Sequence, residues 1–227
     1  MLEYEQIAQT LEAEFAKLCL RFNVDTEYCH FNLVSDKMIL YTQYLRLWKL
    51  QGVSTADEFA KELLDSDLYP GTLMFNQIFC VFKNGKLDQW AFIPLASMWE
   101  FLYKYKGALT DEELMDYLKQ SVRHEVGHMI ANQKLFDDYG IEAGGDMFRQ
   151  LKDDQDKIWY DYLGKHPSDD LETEEQVRDY YTTYYTLPYE KAANDAAGLT
   201  IEEMVKTEVT LWRRKTNYEN NENQNSR

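Results

Sequence analysis

The chain is poor in cysteine and in basic residues, and it has no long apolar run. Its three cysteines, Cys19, Cys29 and Cys80, are odd in number and widely spaced, with no CxxC pair among them. That argues against a disulfide framework and against a cysteine-built zinc site, and it fits a reducing compartment. No apolar stretch approaches the roughly 20 residues needed to span a bilayer, so no membrane association is expected. The first segment, MLEYEQIAQTLEAEF, is acidic and amphipathic rather than a basic stretch followed by an apolar one, so it is not read as a secretory signal. Lysine and arginine number 24 against 40 aspartates and glutamates, a net charge of −16. A field of that sign repels phosphates, so direct nucleic-acid binding is not expected. These absences predict a cytoplasmic protein. They do not fix its oligomeric state.

Aromatic residues, by contrast, are plentiful, with seventeen tyrosines and five tryptophans. A chain of 227 residues with that content buries a core without staples. The pattern predicts an α+β fold, mostly helical, with one small sheet. Ile7, Leu11, Phe15, Leu18 and Phe22 recur at helical spacing. A strand is expected over 28–34, and helices over 36–50, with Gly52 just past the end, and over 55–64. Two apolar runs, 76–82 and 87–93, flank Lys83-Asn84-Gly85-Lys86 and read as a hairpin. A helix over 95–105 stops at Gly107. Thr110-Asp-Glu-Glu113 has the form of a capping box and opens a helix to about Asn132. The stretch 136–157, with Gly140, Gly144 and Gly145, is expected to be irregular. Loops are expected at 67–71 and 166–170. A tyrosine-rich helix over 173–186 ends at Leu187-Pro188, and Pro188 then starts a short helix that Gly198 stops. Thr200 caps a last helix to about Arg214. On this reading residues 1–216 make one domain, with a helical part over about 1–66, and 217–227 is a disordered tail.

The chemistry concentrates in His124-Glu125-Val126-Gly127-His128, which holds two of the four histidines. On a helix, residues four apart share one face one turn apart, so both imidazoles can bind one Zn2+ at about 2.0–2.1 Å. Glu125 points to a neighbouring side, where it can act on a metal-bound water without binding the metal. A catalytic zinc also needs a third protein ligand and an open position. His30 and His166, the remaining histidines, have no motif around them. Glu190 is the better candidate, because it lies in the first turn of the Pro188 helix. Ala192, Ala193, Ala196 and Ala197 give that helix a smooth surface for close approach, and Gly127 and Ala131 leave room on the metal helix. Asn194, four residues after Glu190, and Asp195 are expected to support the ligands by hydrogen bonding, with Asp195 as the reserve ligand.

HEVGH followed by E-x-x-A-N-x-A-A resembles the zincin metallopeptidases whose third ligand is a glutamate, the gluzincin-like group. The segment Glu190-Lys-Ala-Ala-Asn-Asp-Ala-Ala197 is similar to the corresponding helix of ImmA/IrrE-type peptidases of bacteria and mobile elements, and the style of the chain fits phage and integrative-element proteins. The resemblance implies a zincin-like core, one zinc per chain on His124, His128 and Glu190, Glu125 as the acid/base, and a protein or peptide substrate. An extra donor to the oxyanion is sought among Tyr181, Tyr184, Tyr185 and Tyr189, with Tyr189 placed first because it precedes Glu190. The competing expectation is an acidic, non-enzymatic interaction or inhibitor protein, such as a DNA mimic, in which any metal is structural or vestigial. Three protein ligands with no cysteine near the motif favour the open, catalytic site.

Overall fold

The computed structural model describes residues 3–34, 74–161 and 171–225. The helices expected over 36–50 and 55–64, and the loops over 67–71 and 166–170, lie outside them. The chain divides into two compact units, Glu3–Tyr103 and the part from Lys104 onward, where a single domain was expected. Among the described residues no helix is long and apolar enough to cross a membrane.

In the first unit, helix α1 (Tyr4–Phe22) buries Ile7, Leu11, Phe15 and Leu18 as one stripe. Asn23 ends it in the left-handed conformation at φ 54°, its N–H returning to the carbonyls of Cys19 and Leu20. Strands β1 (Cys29–Val34), β2 (Phe75–Val81) and β3 (Leu87–Pro94) form one sheet in the order β1-β3-β2. The hairpin at Asn84-Gly85 is as expected, with Gly85 at φ 78° and β2 antiparallel to β3. The parallel pairing of β1 with β3 was not expected, because no local turn signal announces a crossover. Leu87, Gln89, Ala91, Phe92 and Ile93 of this central strand are fully buried. Helix α2 (Leu95–Lys104) closes the unit.

The second unit carries the histidines. Helix α3 (Asp111–Asp161) starts at the expected box: Glu113 N–H donates to Thr110 Oγ1 and Thr110 N–H to Glu113 Oε2. It then runs on to Asp161, broken once at Gly140, which sits at φ 77° and ψ 178°. The stretch 136–157 is therefore helix on both sides of one break, not irregular. Gly140 supplies the left-handed backbone that the break needs. Gly144 allows packing, since a Cβ there would lie 3.1 Å from Phe136 Cα. Helix α4 (Glu174–Thr186) has a complete capping box between Thr173 and Gln176. Helix α5 (Pro188–Ala197) begins on its proline and ends at Gly198, φ 64°. Helix α6 (Ile201–Asn225) runs on past Arg214, so residues 217–225, expected to be a disordered tail, are helical. Tyr218 explains part of the extension, because its ring closes on Gly107, where a Cβ would come within 2.8 Å of it.

A candidate metal centre between two helices

Helices α3 and α5 meet at a glycine. A Cβ on Gly127 would lie 2.1 Å from the Ala193 carbonyl oxygen and 3.0 Å from Ala197 Cβ. Nothing larger than hydrogen fits, and Ala193 and Ala197 are fully buried there. Arg123 clamps the far end of α5, with Nε donating to the Ala197 carbonyl and Nη2 to that of Gly198, both at 2.9 Å. Those carbonyls are the ones a helix C-terminus leaves without partners. The near end of α5 is then held against the two histidines.

His124, Glu125, His128, Glu190 and Asn194 are all buried. His124 Nδ1 donates to Asn194 Oδ1 at 2.8 Å, which leaves Nε2 to face inward. His124 Nε2 lies 3.0 Å from Glu190 Oε2 and 3.1 Å from His128 Nε2, and His128 Nε2 lies 3.4 Å from the same oxygen. Two imidazole nitrogens and a carboxylate oxygen thus form a nearly equilateral triangle. Tetrahedral bonds of about 2.0–2.1 Å place neighbouring donors about 3.3 Å apart, so these residues fit a zinc ion with one position left over. The ligand-type atoms of His124, Glu125 and His128 also lie within 4.8 Å of one another. Of the two carboxylates Glu190 is the one aimed at both Nε2 atoms. Glu125 stands beside them, and its Oε2 is buried without a hydrogen-bond partner among the described residues.

The charges agree with this division of labour. Burial pushes the Glu125 carboxyl up from its ordinary value, partly opposed by His128 and His124. For Glu190, burial acts upward but the two histidines overcome it and hold the carboxyl well below the ordinary range. In His124, burial acts downward, but the hydrogen bond and the charge of Glu190 outweigh it and raise the imidazole from 6.5 to about 9.

That last shift has two consequences. A raised value means that His124 stabilises the metal-free fold fully below pH 6.5 and loses that contribution as pH rises through about 9. A zinc ion bound there would need the neutral ring, so its binding would expel this proton. Apparent zinc affinity should therefore rise about tenfold per pH unit toward about 9 and then level off. A chelator competition series, corrected for protonation of the chelator, measures the slope, and a flat profile over that range would contradict it.

The other expected residues are distributed unevenly. Asn194 is where the sequence placed it. Asp195 is not brought to the centre: it is exposed and pairs with Lys191. One residue turns a helix by about 100°, so 194 and 195 cannot both face the same neighbour. Tyr189 stacks its ring on His128 with centroids 4.3 Å apart, and its hydroxyl oxygen accepts from Asn132 Nδ2 at 3.3 Å. Tyr184 hydrogen-bonds Glu190. The hydroxyls of Tyr185 and Tyr181 point elsewhere, although the Tyr185 ring meets His124 edge-on with centroids 6.3 Å apart. With Tyr117 they donate to Glu208, a buried carboxyl that burial pushes up. Residues that the sequence did not single out are Asn132, Lys152 and Gln155. Gln155 Nε2 donates to Glu190 Oε1 at 2.9 Å, and Lys152 Nζ lies 4.6 Å over the Tyr189 ring. The signal for Lys152 and Gln155 was their i, i+4, i+7 spacing with Phe148 on one helix face, hidden by reading 136–157 as irregular; that for Asn132 was its place four residues after His128 on the expected helix.

Compared with family models, with curated proteins and with solved structures, the chain matches none.

Proposed function

We propose that the protein is a zincin-like metallopeptidase of the glutamate-ligand type that holds one zinc on His124, His128 and Glu190 and hydrolyses a peptide bond in a protein or peptide substrate. The observation that carries the reading is the triangle of donor atoms with a fourth position left over, beside a buried carboxylate, Glu125, that is not needed as a ligand. Zinc in such a site polarises a carbonyl and lowers the pKa of water toward about 7. Glu125 takes a proton from the attacking water and delivers it to the amine nitrogen as the C–N bond breaks. Asn194 fixes the tautomer of His124, and Tyr189 holds the ring of His128. The Tyr189 hydroxyl, whose oxygen already accepts from Asn132, keeps its own proton for donation to a developing oxyanion.

Elemental analysis of the purified chain should find about one zinc per molecule, lost in His124→Ala and in His128→Ala. A protein that lacks zinc and fails to take up added zinc refutes the proposal. Hydrolysis is tested separately, by reading new N-termini in a cell lysate with and without the protein. The net charge of −16 favours a second reading, a non-enzymatic binder of a basic partner. Bound zinc with no new N-termini would select it.

A further inference from the structure

The geometry points to Gln155 as a positioning residue that fixes Glu190 as a one-oxygen ligand, carried by an arm that the Gly140 break folds back over the centre. This inference rests on the metal-binding half of the proposal above, not on peptide hydrolysis.

A carboxylate beside two imidazoles has two ways to meet a metal. It can bind through one oxygen, leaving room for water and substrate, or through both, filling that room. Glu190 is held for the first. Its Oε2 faces His124 Nε2 and His128 Nε2 at 3.0 and 3.4 Å, and its Oε1 is occupied by the Gln155 amide at 2.9 Å. Gln155 is buried, and its own carbonyl oxygen has no hydrogen-bond partner among the described residues. The bond to Glu190 is therefore what fixes the orientation of this amide. A buried glutamine with only one of its polar ends satisfied is costly, which is a reason to look for a task at the satisfied end. The donor is also neutral. A lysine or arginine there would compete with the metal for the charge of Glu190, whereas an amide holds the oxygen and leaves the charge in place.

The arm presents more than Gln155. Lys152 and Phe148 lie about one and two turns earlier on the same face and both meet Tyr189, Phe148 edge-on at 5.9 Å and Lys152 over the ring at 4.6 Å. Tyr189 in turn stacks on His128. One face of the segment after Gly140 therefore supports a ligand on each of the two helices, His128 through Tyr189 and Glu190 directly.

The test uses the full chain with zinc(II) and cobalt(II) as probes. Gln155→Met keeps the volume and removes the donor. It should weaken zinc binding by about 10- to 100-fold, the usual effect of losing a partner of a metal ligand. The cobalt(II) visible bands should lose intensity, because a second carboxylate oxygen raises the coordination number above four. A merely structural role would leave those bands unchanged in the protein that still binds cobalt. Wild-type affinity together with wild-type bands overturns the assignment. Should Gln155→Met fail to fold, a structure of the unaltered zinc-loaded chain decides: one zinc–oxygen bond from Glu190 with Gln155 on Oε1 supports it, and two such bonds with Gln155 turned away overturn it. If the unaltered chain binds neither ion, the proposed metal site falls and this inference with it. If it binds zinc and cleaves nothing, only the peptidase reading falls.

Discussion

Glu125→Gln should leave zinc bound at the wild-type stoichiometry and lower peptide hydrolysis by at least about 10²-fold, the scale of general acid–base catalysis. The substitution keeps the length and shape of the side chain but cannot accept a proton. Three features make Glu125 the group to change. It directly follows His124, a proposed zinc ligand, on α3, so helix geometry sets it beside the proposed metal position rather than in it. Its Oε2 is buried and has no hydrogen-bond partner among the described residues. Burial pushes its carboxyl above the ordinary 4.5, which brings its basicity closer to what neutral-pH proton transfer needs. The sign of that shift gives a second readout. The base works only when ionised, so activity should fall with decreasing pH along a limb that lies above 4.5. Zinc content and turnover must be measured on the same samples. Full turnover in the variant would remove Glu125 from the mechanism. Loss of zinc would make it a ligand, with Glu190 misassigned.

Much of this centre could be read from the chain because its logic is local. His124 and His128 share a helix face at any i, i+4 spacing, a leading proline puts Glu190 in a first turn, and four residues later Asn194 must lie on the same side. The small residues Gly127 and Ala131 on one helix and Ala192, Ala193, Ala196 and Ala197 on the other marked close packing, and Gly127, Ala193 and Ala197 are the ones that make it. What could not be read depends on chain reversal or on distant pairing. Gly140 and Gly144 look like loop residues in isolation. Only the folded chain shows that one supplies a left-handed break and the other a packing surface, and Gln155 was missed along with them. The choice between Asn194 and Asp195 turned on about 100° of helix rotation, finer than a resemblance between segments. The tyrosines show the same limit. The hydroxyls of Tyr181 and Tyr185 serve Glu208, whereas that of Tyr184 meets Glu190 and that of Tyr189 meets Asn132, and spacing alone cannot say which partner a hydroxyl will meet. The parallel partner of β3 lies about sixty residues upstream in the sequence, where no turn signal reaches.

Gly127→Ala should destabilise the fold and loosen the metal centre together. In an exposed helix interior this change is ordinarily favourable by about 0.5–1 kcal/mol, because glycine loses more freedom on folding. Here the added Cβ would sit 2.1 Å from the Ala193 carbonyl oxygen and 2.9 Å from its carbon, against ordinary contact at 3.4–4 Å. Both atoms are backbone inside α5, so no side chain can swing aside and the helix itself must move by more than an ångström. Glu190 and Asn194 ride on that helix, three residues before Ala193 and one after it. A displacement of that size takes the 2.8 Å bond between His124 and Asn194 beyond bonding distance and opens the 3.0 Å approach of Glu190 to His124. Overpacking of this kind costs about 1–3 kcal/mol, and the backbone contact puts this site at the upper end. Zinc affinity should fall by at least about 10-fold, as when a ligand loses its support. Gly145→Ala is the control. No atom comes closer than 4.0 Å to a Cβ there, so that variant should match or slightly exceed wild-type stability with unchanged zinc binding. Thermal unfolding of the metal-free proteins and chelator competition of the loaded ones separate the two variants. Equal melting temperatures and equal affinities would mean that α3 and α5 do not meet at Gly127, and the ligand triangle would lose the contact that holds it together.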